Sequence, residues 1–167
     1  LLSEIREMAD VIIDTSEHTV HTLRDAIKDR FAEKGAGHEM SVSIMSFGYR
    51  HGLPRGADMM LDVRFLPNPH FVPELRALTG RDQPVIDYLN SSPEVLEALE
   101  RFTDLLAYLL PKFQREGKSY LTIAVGCTGG HHRSVMMADA LNERLARLGH
   151  KANVIHRDIA KDPEHYR

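Results

Sequence analysis

The feature that most constrains the fold is a glycine-rich run of nine residues, Gly126–Ser134, with the sequence GCTGGHHRS. The segment before it, 119–125, is short, apolar and rich in β-branched and aromatic residues, which predicts a buried strand. In the segment after it, 134–148, apolar residues recur every three or four positions, and Gly149 follows, which predicts an amphipathic helix. The sequence therefore predicts a strand, a glycine-rich turn and a helix in immediate succession.

Such a turn directs backbone N–H groups and the positive end of a helix at one point, which suits a phosphate. Arg133 adds a permanent forked charge, and Thr128 and Ser134 add hydroxyl groups. The alternative interpretation is that the glycines serve only a tight turn. Because strand, glycines, arginine and helix occur together, we interpret the run as a phosphate-binding loop. Its candidate ligand groups are the backbone N–H groups of the glycine turn and the side chains of Thr128, Arg133 and Ser134.

The rest of the chain predicts an α/β fold, a layered sheet with flanking helices. Strand patterns occur at 9–15, 40–46 and 152–155, and a further apolar stretch spans 57–63. A short helix is predicted at 84–89. A longer helix starts at Ser92, and Pro111 should bend or end it because proline lacks the N–H of the helical ladder. The alternation of strands and helices favours a mixed or mainly parallel sheet.

Three polar segments follow predicted strands, at 46–51, 62–70 and 126–134. Ligands of open α/β sheets lie beyond the carboxyl ends of the strands, so we expect these segments to meet at one pocket. In a module that binds a phosphosugar or a nucleotide fragment there, Asp62, Arg64, His70 and His51 would contact sugar hydroxyl or amino groups, with Asp62 the natural partner of a ligand amine. The alternatives are a structural Asp62–Arg64 ion pair and an ordinary loop histidine at position 51.

A catalytic interpretation is also open. Cys127, Arg133 and Ser134 fit the C-x5-R-[ST] pattern of cysteine-dependent phosphatases, in which a thiolate attacks phosphorus and the arginine binds the oxygens. Asp62 or His70 would then be the general acid. However, Gly126 stands where those enzymes usually have histidine. The remaining alternative is that Cys127 is a small residue in a binding turn, and on that interpretation no residue is catalytic.

Neither a metal site nor a nucleoside triphosphatase motif is predicted. Ten histidines are present, but the adjacent pair His131 and His132 should diverge at a helix start, and no H-x3-H spacing occurs. The glycine-rich run imitates the layout of a Walker A motif but has no lysine, so hydrolysis of a nucleoside triphosphate by this chain is not supported.

Charge and cysteine content exclude further classes. The net charge of −3 gives no basic field for nucleic acid. A single cysteine, with no signal peptide and no long apolar run, predicts a cytoplasmic location. The sequence begins with Leu1 rather than methionine, and we expect a piece of a longer protein. We assign 1–34 to the end of a preceding domain, 35–39 to a linker (or an ordinary loop within one domain), and 40–167 to a separate domain.

Three motifs in this order resemble the RapZ family of bacterial P-loop nucleotide-binding proteins: SFGYRHGLP from Ser46, DVRFLPNPH from Asp62, and GCTGGHHRS from Gly126. The resemblance covers most of the chain from Met40 onward and identifies it as similar to the family's C-terminal domain. Residues 1–34 are similar to the end of the family's kinase-like N-terminal domain.

The resemblance implies an α/β domain like a sugar-phosphate-binding subdomain of phosphofructokinase, with glucosamine-6-phosphate as ligand and self-association into dimers and tetramers. It implies a ligand pocket at Asp62, His70, Cys127, Thr128, Gly129, Gly130, His132 and Arg133. No cofactor is expected in this chain; ATP or GTP would bind in the N-terminal domain, and no membrane partner is implied.

The best-known members of the family present a small RNA to an endoribonuclease, using a C-terminal cluster of lysine and arginine. Here acidic residues are interspersed in the tail 156–167, which weakens the case for RNA because phosphate contacts need uncompensated positive charge.

Overall fold

The computed structural model describes residues 40–161 and, before them, residues 6, 8–19, 22, 23, 26, 27 and 30. The chain divides into two compact units, Leu1–His38 and Glu39–Arg167. The predicted linker at 35–39 lies outside the described residues, as does the end of the tail, 162–167. The assignment of domains therefore stays a prediction.

In the first unit, the predicted strand at 9–15 is wrong. Residues 11–15 form no strand, and Ile12 is 52% exposed, so among the described residues this apolar run pairs with no other strand. The backbone N–H of Thr22 donates to Thr19 Oγ1 at 3.2 Å, which is the hydrogen bond of a helix N-cap.

Among its described residues, the second unit contains four strands and three α-helices, and both kinds of element are distributed along the chain. In chain order they are β1 (Ser41–Gly48), β2 (Met59–Asp62), α1 (Gln83–Asn90), α2 (Pro93–Arg115), β3 (Tyr120–Cys127), α3 (Arg133–Arg147) and β4 (Ala152–His156). Short 3-10 helices occupy Tyr49–His51, Pro69–Phe71 and Pro73–Leu75. The prediction of an α/β layered fold is confirmed.

All four strands are parallel, in the order β2-β3-β1-β4. The register places Gly48 opposite Cys127, and Asp62 opposite Gly126. The carboxyl ends of β1, β2 and β3 therefore reach the same edge of the sheet. The segments that follow those three strands start side by side there.

The core lies between the sheet and the helices. Helix α3 packs against β1, β3 and β4, and α2 packs against α3. The sheet contributes alternate residues of its two central strands to this core. Examples are Val42 and Ile44 of β1 and Leu121 and Ile123 of β3, which are all buried. This core fixes the start of α3 relative to the end of β1.

Pro111 does not end its helix. Helix α2 continues to Arg115, because Leu110 and Phe113 pack against the core on both sides of the exposed proline. Helix α3 ends in a Schellman motif, in which the N–H of His150 donates to Leu145 O and Gly149 has φ +86°.

Among the described residues, no helix combines the length and the apolar character that crossing a bilayer requires. The cytoplasmic location stays a prediction.

Candidate functional site

The glycine loop, Thr128–His132, connects the end of β3 to the start of α3. It folds back on the last residue of the strand, since the N–H of Gly130 donates to Cys127 Sγ at 3.2 Å. Gly130 has φ +83°, a conformation that residues with a Cβ rarely adopt. His132 is the N-cap residue of α3, so the loop ends at the positive end of that helix.

The loop lies directly against the end of β1. A Cβ added to Gly48 would be 2.5 Å from the carbonyl carbon of Gly129, and one added to Gly130 would be 2.8 Å from the nitrogen of Gly48. The N–H of Arg50 donates to Thr128 O at 3.1 Å, which continues the pairing of β1 with β3 into the loops. Glycine is required at positions 48 and 130 because two backbones touch there.

Arg133 anchors the second segment to the glycine loop. Its Nη1 donates to the carbonyl oxygens of Arg64 and Leu66, at 2.6 and 3.0 Å, and its Nη2 donates to Thr128 Oγ1 at 3.2 Å. The residue is only 4% exposed. Burial lowers the pKa of Arg133, while the electrostatic effects of Cys127 and Asp62 raise it. The guanidinium nevertheless remains charged. None of the ion pairs formed by the described residues includes Arg133.

The two adjacent histidines diverge, as the sequence predicts. His131 Nε2 donates to Lys161 O at 2.7 Å, whereas His132 Nε2 donates to Leu75 O at 3.2 Å. Burial, reinforced by His131, lowers the pKa of His132, and burial also lowers the pKa of His70. His132 and His70 are therefore neutral side chains at physiological pH, and their ring nitrogens can donate or accept hydrogen bonds.

Residues from all three predicted segments line one cavity of about 70 Å³ at the carboxyl end of the sheet, which we call the carboxyl-end cavity. Two arginines and three histidines are among the nine described residues around it, and none of the nine is acidic. They are Arg50, Asn68, His70, Cys127, Thr128, Gly129, His131, His132 and Arg133. The cavity is thus electropositive, and it is smaller than the roughly 300–1,000 Å³ of a typical drug-sized site.

Six of the predicted site residues line this cavity: His70, Cys127, Thr128, Gly129, His132 and Arg133. Gly130 and Ser134 are buried and do not line it, and Ser134 Oγ is 3.1 Å from Cys127 Sγ. His51 is not among the lining residues and sits, half-buried, in the 3-10 helix after β1. Whether any of these residues contacts a ligand stays a prediction.

Asp62 and Arg64 form an ion pair near the cavity without lining it. Arg64 Nε and Nη2 both donate to the Asp62 carboxylate, at 3.0 and 2.6 Å, and the Arg64 guanidinium lies 3.9 Å over the ring of Tyr49. The hydrogen bond from Arg64 lowers the pKa of Asp62. Asp62 is therefore an ionised carboxylate that already has a cationic partner.

Sequence reasoning missed three of the lining residues, Arg50, Asn68 and His131. All three lie inside the quoted motifs, and Asn68 stands between two prolines, so position alone could have suggested them. It also missed Asp158, a fully buried aspartate in a tail that reads as polar. In the part of the chain that the structure describes, no three histidine, cysteine or acidic side chains are grouped so that they could hold a metal ion.

Comparison with known proteins agrees with the resemblance seen in the sequence. Residues 40–160 match the family described as RapZ C-terminal domain. Curated relatives called nucleotide-binding proteins include one from Solibacter usitatus, 51% identical over 96% of this chain and 50% of its own length, and one from Koribacter versatilis, 53% identical over 96% and 53%. One from Geobacter sulfurreducens is 49% identical over 96% and 56%. The chain thus spans about half the length of the curated relatives it matches.

Proposed function

Because this chain belongs to the RapZ family, we propose that its second unit is a sensor domain that binds a phosphorylated aminosugar, glucosamine-6-phosphate, within a larger nucleotide-binding protein. The phosphate would lie in the carboxyl-end cavity, on the glycine loop and the start of α3. The sugar would extend toward the Asp62–Arg64 pair.

The observation that carries the proposal is the environment of Arg133. A buried guanidinium without a carboxylate partner is costly, and its hydrogen bonds to carbonyl oxygens offset only part of that cost. A phosphate dianion in the adjacent cavity would supply the missing negative charge. Arg50, also on the wall, would add to the attraction.

The small cavity supports a ligand of which only the phosphate is enclosed. A whole nucleotide would not fit in about 70 Å³, whereas a phosphate group would. Recognition of an amine would fall to Asp62, whose carboxylate is ionised and part-exposed. The ligand ammonium would then compete with, or join, Arg64 at this carboxylate.

Calorimetric titration of the 167-residue chain with glucosamine-6-phosphate, glucose-6-phosphate and inorganic phosphate tests this proposal. We expect all three to bind, with the aminosugar phosphate tightest, and we expect Asp62→Asn to remove its advantage over glucose-6-phosphate. Exposed Asp104, on α2, provides a matched control as Asp104→Asn. Failure of all three compounds to bind, or equal binding of glucosamine without phosphate, would contradict the proposal.

A cysteine-dependent phosphatase is the second candidate, since Cys127 at the end of β3 contacts Ser134, which follows Arg133 at the start of α3. The thiol is only 3% exposed and accepts the N–H of Gly130, which favours a structural role in the loop. Cys127→Ser separates the two functions. A binding domain would keep most of its affinity for phosphate, whereas a phosphatase would lose all turnover of a phosphomonoester.

For the whole protein we propose that a nucleotide, ATP or GTP, binds outside this chain, because the relatives' names include nucleotide binding and this chain has no Walker A motif. Self-association, and the presentation of a small RNA to an endoribonuclease, are extensions of the same family membership. RNA binding would weaken steeply with added salt, so an affinity that salt leaves unchanged would count against it.

A further inference from the structure

The segment Arg157–Lys161, which follows β4, is tied to the end of β1 and to the glycine loop. The N–H of Arg157 donates to Ser46 O at 3.0 Å, and Arg157 Nη2 donates to Gly52 O at 2.8 Å. On the other side, Lys161 O accepts the hydrogen bond from His131. The segment therefore bridges two of the three segments that surround the carboxyl-end cavity.

Asp158 is the centre of this segment and is 0% exposed. Its Oδ2 accepts the backbone N–H of Gly48 at 2.8 Å and a hydrogen bond from Arg157 at 2.7 Å, and its Oδ1 lies 2.9 Å from Lys161 Nζ. Burial alone would raise the pKa of Asp158. The hydrogen bonds from Arg157, Gly48 and Lys161 outweigh it and lower that pKa to about 2, so the side chain is a carboxylate over the whole physiological range.

Asp158 also contacts the surface on which the glycine loop rests. A Cβ added to Gly130 would lie 2.9 Å from Asp158 Cβ and 2.8 Å from the nitrogen of Gly48, the same nitrogen whose hydrogen the carboxylate accepts. The Asp158 side chain, the Gly48 backbone and the backbone of the glycine loop are thus in direct contact with one another. A shift of the carboxylate would move Gly48, and with it the loop.

We propose that Asp158 is a positioning residue for the anion site: its buried carboxylate fixes the Gly48 backbone and so holds the glycine loop in its phosphate-binding geometry. This inference rests on the proposed function. Asp158 does not line the cavity, so it acts through Gly48 and not on the ligand.

Two substitutions separate the position of this side chain from its charge. Asp158→Asn keeps an oxygen acceptor in place for the Gly48 N–H but removes the charge, whereas Asp158→Glu keeps the charge but moves it by one methylene. Asp58 provides the control, because its carboxylate also accepts a backbone N–H, from Thr122 at 2.8 Å, and a hydrogen bond from a lysine, Lys118, at 2.7 Å. Asp58 precedes β2, at the opposite end of the sheet.

The measurement is calorimetric affinity for inorganic phosphate well below the unfolding temperature. We expect Asp158→Glu to weaken binding about tenfold, which is the equivalent of roughly one misplaced hydrogen bond. Asp158→Asn should stay close to the unsubstituted chain, and both Asp58→Asn and Asp58→Glu should leave affinity unchanged. Equal loss in the two Asp158 variants, or no loss in Asp158→Glu, overturns the inference.

Amide hydrogen exchange at Gly129 and Gly130 gives a readout that needs no ligand. Asp158→Glu should speed exchange at these two amides relative to Asp58→Glu, and unchanged exchange overturns the inference even if phosphate binds. If the unsubstituted chain binds no phosphate but exchange responds as expected, the proposed function fails while the positioning role stands.

Discussion

The two ends of the sheet use the same interactions to different effect. At the amino end, Asp58 accepts the N–H of Thr122 and pairs with Lys118, and the side chains of Asp58 and Lys118 are 31% and 34% exposed. At the carboxyl end, Asp158 accepts the N–H of Gly48 and pairs with Arg157 and Lys161, and it is fully buried. An exposed pair contributes little to stability, while a buried one enforces a geometry. The two aspartates, Asp58 and Asp158, therefore differ in burial and not in the kind of contacts they make.

The cavities at the two ends differ in the same way. The amino-end cavity, lined by residues including Val42, Gly149 and Lys151, measures about 140 Å³, twice the carboxyl-end cavity. A Cβ on Gly149 would meet nothing within 4 Å, whereas one on Gly48 would collide with the glycine loop. Gly149 is a glycine because of its φ, and Gly48 because of the close approach. The smaller cavity has the closely packed wall, which a binding site requires more than volume.

The largest contrast is expected from removing a positive charge at each end. Arg133→Met should weaken phosphate binding about 100-fold or more, because charge-assisted hydrogen bonds to the anion are lost. Lys151→Met, in the amino-end cavity, should leave the affinity unchanged. Calorimetric titration with inorganic phosphate measures both. Equal affinities of the two variants would show that the cavities are not functionally distinct.

Substituting the two glycines sharpens the comparison. Gly48→Ala should reduce phosphate affinity about tenfold and lower the free energy of unfolding by about 1–3 kcal/mol, because the new Cβ pushes the glycine loop away. Gly149→Ala should cost about 1–2 kcal/mol of stability through its positive φ and leave affinity intact. Urea denaturation and phosphate titration of the same samples check both effects. A loss of affinity in Gly149→Ala would break the distinction.

The dependence of stability on pH should originate mainly at the carboxyl end. Burial lowers the pKa of His70, His132 and His156 below the value of about 6.5 for an exposed histidine. The unfolded chain then binds protons that the folded chain does not, so stability should be constant above about pH 7 and fall as the pH drops below 6.5. Thermal unfolding between pH 8 and pH 5 measures this. An unfolding temperature that rises on acidification would contradict it.

The smallest effect is expected at the amino-end aspartate. Asp58→Asn should reduce the free energy of unfolding by less than about 1 kcal/mol, since its ion pair is part-exposed and screened. Asp158→Asn should cost about 2 kcal/mol at neutral pH, from the lowering of its pKa from 3.8 to about 2. Urea denaturation compares the two variants. Equal costs would mean that burial does not distinguish the two ends.

Local patterns in the sequence predicted most of the second unit. The strand, glycine loop and helix around Gly126–Ser134 follow from spacing alone, and the meeting of three segments follows from the rule that ligand sites lie at the carboxyl ends of parallel strands. The proline rule did not predict that α2 extends beyond Pro111. The helix continues because the contact of Phe113 with the core outweighs the hydrogen bond that proline cannot donate, and the local pattern does not show that contact. The strand at 9–15 failed because an apolar run does not specify a neighbouring strand.

The long-range contacts of the site could not be predicted from such patterns. Asp158 meets Gly48 across 110 positions, and Arg133 reaches the carbonyl oxygens of Arg64 and Leu66 across 69 and 67. No periodicity encodes these pairs, and an acidic residue in a polar tail reads as solvated. The charge of Arg133 was foreseen, but its attachment to backbone carbonyls was not.

The hydrogen bond between Gly48 and Asp158 has a consequence for the order in which the chain is synthesised. Every residue that lines the cavity has left the ribosome when residue 133 emerges, yet the carboxylate that fixes their arrangement follows 25 residues later. A nascent or prematurely terminated chain that ends within α3 thus carries every residue that lines the cavity but lacks the Asp158 carboxylate that accepts the Gly48 N–H. We therefore expect the proposed anion site to form only after the segment Arg157–Lys161 has been synthesised.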